Sequence, residues 1–167
     1  MHKPEKWVGI AMKLFFGPRC SFFFRLSLLL ILALLSLKAV PVSAAERMAV
    51  KVSLANVRTQ ADINSEIAWQ VTKFHPFEVL EKKGDWYLCR DFEGDRGWLY
   101  KDLLDKTVTV ISLKENCNVR SGPSINSQVI FIVDREVCLK VIKRQGRWLQ
   151  VVHEDGDQGW IHASLVW

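Results

Sequence analysis

Short runs rich in β-branched and aromatic residues, cut apart by glycine-bearing turns, fill the chain after residue 45. Val50-Lys51-Val52, Glu78-Val79-Leu80-Glu81 and Trp86-Tyr87-Leu88-Cys89-Arg90 are such runs. Lys83-Gly84-Asp85 and Glu93-Gly94-Asp95 are turn signals among them. The pattern returns in Val137–Ile142, Arg147–Val152 and Gly159–Ile161. Several short strands between tight turns predict an all-β barrel or sandwich. No convincing amphipathic helical period occurs after residue 45.

The return is a gapless internal repeat at an offset of 62 residues. Asn56-Val57-Arg58 recurs as Asn118-Val119-Arg120, and Ile63-Asn64-Ser65 as Ile125-Asn126-Ser127. Gly84-x-Trp86 recurs as Gly146-x-Trp148, Gly97-Trp98 as Gly159-Trp160, and Leu103 as Leu165. One offset over the whole unit means one small fold used twice, which points to a binding module before a catalyst. The units run over residues 48–105 and 108–167. A unit of about 60 residues is marginal alone, and two packed together bury more surface.

Alternation assigns the faces. Tyr87 and Cys89 lie on one side of their run, and their counterparts Leu149 and Val151 are also apolar. That side is the expected core. Trp86, Leu88 and Arg90 take the other side, as do Trp148, Gln150 and Val152. A Trp on this more polar side is either a cover over the barrel edge or a platform for a ligand.

Residues 1–45 read differently. Lys3, Lys6, Lys13, Arg19 and Arg25 precede an uncharged run from Leu26 to Leu37. Its length fits the apolar region of an export signal and is short of the roughly 20 residues a membrane span needs. Val42-Ser43-Ala44 places a cleavage after Ala44, with Ala45 nearly equivalent. The alternative is an uncleaved anchor, which would make the leader the chain's one tie to a membrane. Met12 begins a leader of more ordinary length than Met1 does. The leader also accounts for the charge. Of 23 Lys+Arg and 18 Asp+Glu, residues 1–45 hold six and one, so 17 of each sign remain. The formal +5 of the whole chain therefore argues for no nucleic-acid partner.

The Asn-Val-Arg, Gly-x-Trp, Gly-x-x-Gly-Trp and closing Leu pattern resembles the bacterial SH3 domain (SH3b, SH3 type 3). The second unit is the closer match, with Asn118-Val119-Arg120-Ser121-Gly122-Pro123-Ser124. The first has Thr59-Gln60-Ala61 where Ser-Gly-Pro is usual, so the resemblance is weakest at its first loop. The resemblance implies two tandem SH3-like β-barrels, each five- to six-stranded and strongly bent, in an exported protein of the periplasm or cell envelope. It also implies a groove at Trp86 in the first unit and at Trp148 in the second. Tyr100 and His162 fall where eukaryotic SH3 domains carry a groove proline. Leu103 and Leu165 stand where those domains usually have Tyr, so polyproline recognition is not expected.

Other chemistry is thin. Arg58 and Arg120 have two readings: recognition of a carboxylate, or a scaffold role on loop carbonyls, which presence in both copies favours. Trp98 and Trp160 are expected to cover the barrel ends. Cys89 falls on the core face as a buried free thiol. Cys117 and Cys138 could form a disulfide within the second unit. Their counterparts Ala55 and Pro76 show that the fold does not need one. His75, His153 and His162 are the histidines available to a Cys–His hydrolase, but no residues remain outside the two units for a catalytic domain. We expect no enzyme, no cofactor and no metal, there being no CxxC, HExxH or Asp-rich Ca²⁺ loop. The expected function is non-enzymatic binding of peptidoglycan through its peptide portion. The alternative is an envelope protein–protein adaptor using the two repeats as one rigid scaffold, as the Pro- and Gly-free segment 102–116 suggests.

Overall fold

A computed structural model describes residues 45–167. The leader assigned to residues 1–45 lies, but for Ala45, outside the described residues. The described part is all-β, and its strands form two antiparallel sheets. The first repeat supplies β1 (Glu46–Val50), β2 (Leu54–Arg58), β3 (Ile67–Thr72), β4 (Pro76–Lys83), β5 (Trp86–Arg90), β6 (Arg96–Tyr100) and β7 (Leu104–Asp105). The second supplies β8 (Thr109–Ile111), β9 (Cys117–Arg120), β10 (Val129–Val133), β11 (Cys138–Gln145), β12 (Trp148–Val152) and β13 (Gln158–His162). The strand orders are β3-β2-β6-β5-β4-β1-β7 and β10-β9-β13-β12-β11-β8.

The 62-residue offset holds in the hydrogen bonding. β4 and β11 each shift register, at Val79/Glu81 and Val141/Lys143. Val50 pairs with Leu104, and Ser112 bridges Val166. Phe74 and Glu136 both take a left-handed φ of 69° just before β4 and β11. Gly84 and Gly146, each at φ 58°, open the two-residue turns into β5 and β12, the Gly-first connection that matches strand twist.

Each sheet bends round one core. Val50, Ala55, Val57, Val71, Phe77, Cys89, Leu99 and Leu104 form the first. Cys117, Val119, Val133, Leu139, Val151 and Ile161 take corresponding places in the second. Cys117 fills the site of Ala55, as a small apolar side chain can. Ser112 replaces Val50 and is fully buried. Its Oγ donates to Asp134 O and accepts from Val137 N at 2.9 Å, so the hydroxyl is satisfied.

The resemblance implied barrels of five to six strands; the second sheet has six, and the first differs. The first has seven strands, and in neither do the two end strands pair with each other. β1 pairs with β4 along Pro76–Val79, and the end strand β7 beyond it has just two residues. The core expectation for β5 and β12 agrees with the structure: Cys89, Val151 and Leu149 are buried and Tyr87 packs against the first core. The strand-like run Thr107–Ile111 starts later, at Thr109. Asp105 Oδ1 accepts from Thr107 N at 2.9 Å and holds that residue in a turn.

The described residues form one compact unit, and contacts join its two repeats. Arg135 pairs with Glu93 and lies over the Phe92 ring at 5.7 Å. Lys73 and Glu154 are 3.8 Å apart. The Arg47 guanidinium lies 4.0 Å from the centroid of the Trp167 ring.

Candidate functional site

Gly97 explains why the Asn-Val-Arg and Gly-Trp motifs occur together. β2 and β6 meet at Arg58 and Trp98. A methyl group on Gly97 would collide with Val57 Cγ1 and come within 3.2 Å of Arg58 O. On Gly159 it would lie 2.5 Å from Val119 Cγ1 and 3.0 Å from Arg120 O. Glycine there lets the strands close over the buried Val. The tryptophans that follow differ: Trp160 is buried, with Lys143 Nζ 5.3 Å from its ring, whereas Trp98 is half-buried.

Next to this scaffold, strand pairing brings the expected groove residues together. Trp86 opens β5, Tyr100 closes β6, and the two are cross-strand partners. Their rings meet edge to face, centroids 5.5 Å apart at 73°. With Ala61, Asp62 and Ile63 they line a concavity of about 460 Å³. In the second repeat Trp148 and His162 are partners, with centroids 5.2 Å apart at 79°. They share a concavity of about 270 Å³ with Arg120, Ile125, Lys114 and Glu115. His162 Nδ1 lies 3.3 Å from Ser164 N and 2.7 Å from Ser164 Oγ, which fixes the ring against the short helical turn Ala163–Leu165.

The arginines act on the loops that rim these concavities. Arg58 Nη1 donates to Ser65 O at 2.6 Å, and Arg120 Nη1 to Ser127 O at 2.8 Å. This is the scaffold geometry. Arg120 also lines its concavity; Arg58 is not among the residues lining the first. The two loops fold alike despite Thr59-Gln60-Ala61. Thr59 N and Ser121 N donate to Glu66 O and Gln128 O at 3.0 and 2.9 Å. Ser65 N and Ser127 N donate to Asp62 O and Ser124 O at 3.2 and 3.1 Å.

Sequence reasoning missed Ile63 and Ile125 as groove residues. Each sits in the loop that its arginine pins, 65% and 74% exposed, beside the aromatic pair. The signal was present, since Ile-Asn-Ser repeats at the common offset although a turn gives an isoleucine nothing to pack on.

The cysteines do not pair. The Cys117–Cys138 bridge that the spacing allowed is not formed, and all three described cysteines are free and buried. Cys117 Sγ donates to Lys114 O at 3.1 Å, while Cys138 Sγ lies 3.8 Å from His75 Nδ1 of the other repeat. The two thiols open β9 and β11, which are not neighbours in the sheet. Burial pushes the Cys138 and Cys89 thiols up to about 12 and raises Cys117 as well. Burial also lowers His75 to about 4, against the opposing pull of Asp91 and Glu136. The Cys138–His75 contact is therefore between a neutral thiol and a neutral ring, the reverse of what an activated nucleophile needs. Among the described residues, no group of three or more His, Cys, Asp or Glu is placed to hold a metal ion.

The model of the bacterial SH3 domain matches residues 51–106 and 113–167. The chain belongs to this family. It is 25% identical over 122 residues to a Bacillus subtilis (strain 168) protein named putative N-acetylmuramoyl-L-alanine amidase YrvJ, over 66% of this chain and 23% of that one. A Staphylococcus epidermidis protein named probable cell wall amidase LytH is 30% identical over 71 residues, 40% of this chain and 24% of that one. The matches thus span about a quarter of each relative. Among solved structures, an NlpC/P60 family protein from Bacillus cereus ATCC 10987 is 15% identical with a TM-score of 0.35, over 72% of this chain and 55% of that one. The structure titled endolysin LysPBC5 CBD is 18% identical with a TM-score of 0.30, over 75% and 94%.

Proposed function

We propose that this tandem bacterial SH3 protein is a non-enzymatic binding module of the cell envelope that holds peptidoglycan by its peptide portion. The observation that carries this is the repeated aromatic pair, Trp86–Tyr100 and Trp148–His162, each beside an exposed isoleucine. An aromatic edge with a polar rim suits a short peptide of small side chains. Membership of the family and the cell-wall names of the amidase relatives support the ligand class. The raised thiols support a binding role before a hydrolytic one. Export through the leader completes the proposal. Each groove is shallow and therefore weak, and two on one unit raise avidity where their spacing fits the polymer.

Co-sedimentation with purified sacculi tests it. The chain is expected in the pellet, and Trp86→Ala with Trp148→Ala is expected to return it to the supernatant. Unchanged sedimentation of the double variant overturns the groove assignment. The contacts of Arg135 with Glu93 and of Lys73 with Glu154 favour a second reading, a rigid adaptor for an envelope protein. One stoichiometric protein partner without glycan in a crosslinked pulldown would select it.

A further inference from the structure

A second site lies away from both aromatic grooves. β3 pairs with β2 alone and is the edge of its sheet. An edge strand leaves alternate N–H and C=O groups open along its free side. A concavity of about 510 Å³ is lined by β3 from Ala68 to Thr72 and by residues of both repeats. Asp91, Glu93, Asp95 and Glu136 line it, and among the described residues lining it there is no Lys or Arg. Asp91 Oδ1 is occupied by the N–H groups of Glu93, Gly94 and Asp95, each at 2.9 Å. Glu93 and Glu136 share Arg135, so two carboxylates meet one cation. Asp95 has no ion-pair partner among the described residues. His75 also lines the cleft; it is 9% exposed and its Nε2 has no hydrogen-bond partner.

We propose that this cleft takes an extended polypeptide segment with basic side chains, which adds beside β3 as a further strand. The open backbone groups of β3 supply main-chain hydrogen bonds. The surplus negative charge selects Lys or Arg. The His75 ring, whose Nε2 is unpartnered and shielded from solvent, forms part of the lining. Five residues at about 3.4 Å each match the stretch from Ala68 to Thr72. The corresponding acidic hairpin of the second repeat begins with His153 in place of Asp91, so the site belongs to the pair and not to each repeat. It does not use Trp86 or Trp148, and it stands or falls apart from wall binding.

Fluorescence anisotropy on the full chain tests it with labelled Lys-Val-Lys-Val-Lys. The peptide is expected to bind, and Glu-Val-Glu-Val-Glu to bind about tenfold more weakly or not at all. N-methylation of one alternate set of amides is expected to weaken the Lys peptide about tenfold while keeping its charge. Asp95→Asn with Glu136→Gln is expected to weaken it severalfold, and Trp86→Ala with Trp148→Ala to leave it unchanged. Three results would overturn the proposal: no binding at roughly 1 mM peptide, equal binding when either alternate set is methylated, or full affinity in the Asp95/Glu136 variant.

Discussion

Gly97→Ala is a small change that the geometry makes expensive. The new methyl would collide with Val57 Cγ1 and meet Trp69 Cη2 at 3.1 Å and Arg58 O at 3.2 Å. Val57 is fully buried and cannot swing into solvent. Overpacking of this kind costs about 1–3 kcal/mol. Val57→Ala alone removes two buried methyl groups and costs about 2 kcal/mol. The double variant removes the worst clash by deleting Cγ1. The two losses are then expected to fall short of additivity by about 1 kcal/mol or more. Equilibrium urea unfolding of the four chains, with the slope checked for constancy, measures this. Additivity within about 0.5 kcal/mol would show that Gly97 is not required by Val57. The account of the paired Asn-Val-Arg and Gly-Trp motifs would then be wrong.

His75 gives a pH dependence with a definite sign. The unfolded ring binds its proton near 6.5 and the folded one near 4, so between these the unfolded chain holds more protons. Stability is expected to fall by up to roughly 3 kcal/mol as pH drops from 6.5 to 4; His75→Gln should flatten that window, and a slope unchanged in the variant would refute it. Arg58→Ala is expected to cost about 1–2 kcal/mol and to speed amide exchange at Asn64 and Ser65, whereas unchanged exchange would remove the arginine from the loop. Native Cys89 and Cys138 are expected to resist a thiol reagent at pH 8 and to react on unfolding. A peptide map linking Cys117 to Cys138 would contradict the free-thiol structure.

Much of the fold was legible because it is local and repeated. The turns at Gly84 and Gly146 and the inward faces of β5 and β12 follow from spacing alone, since strand period and turn chemistry act within a few residues. Trp86 with Tyr100, and Trp148 with His162, came from the family resemblance, and strand pairing sets each two edge to face. The inward placement of Val50 and Ser112 needed the sheet, because a buried Ser declares itself only through Asp134 and Val137. The cleft beside β3 and the Cys138–His75 contact were not legible. Both arise where the two repeats meet, and such a contact leaves no period in the chain. Whether Cys117 and Cys138 pair was left open by the sequence, because two cysteines within one unit say nothing about which strands lie between them.

The most direct test follows the tryptophan indole N–H signals by NMR while soluble peptidoglycan stem peptide is added. The signals of Trp86 and Trp148 are expected to shift together with ligand, while those of buried Trp160 and half-buried Trp98 stay in place. Shifts at Trp98 and Trp160 with Trp86 and Trp148 unmoved, or no shift at any indole, would contradict the assignment of the aromatic grooves as the binding site.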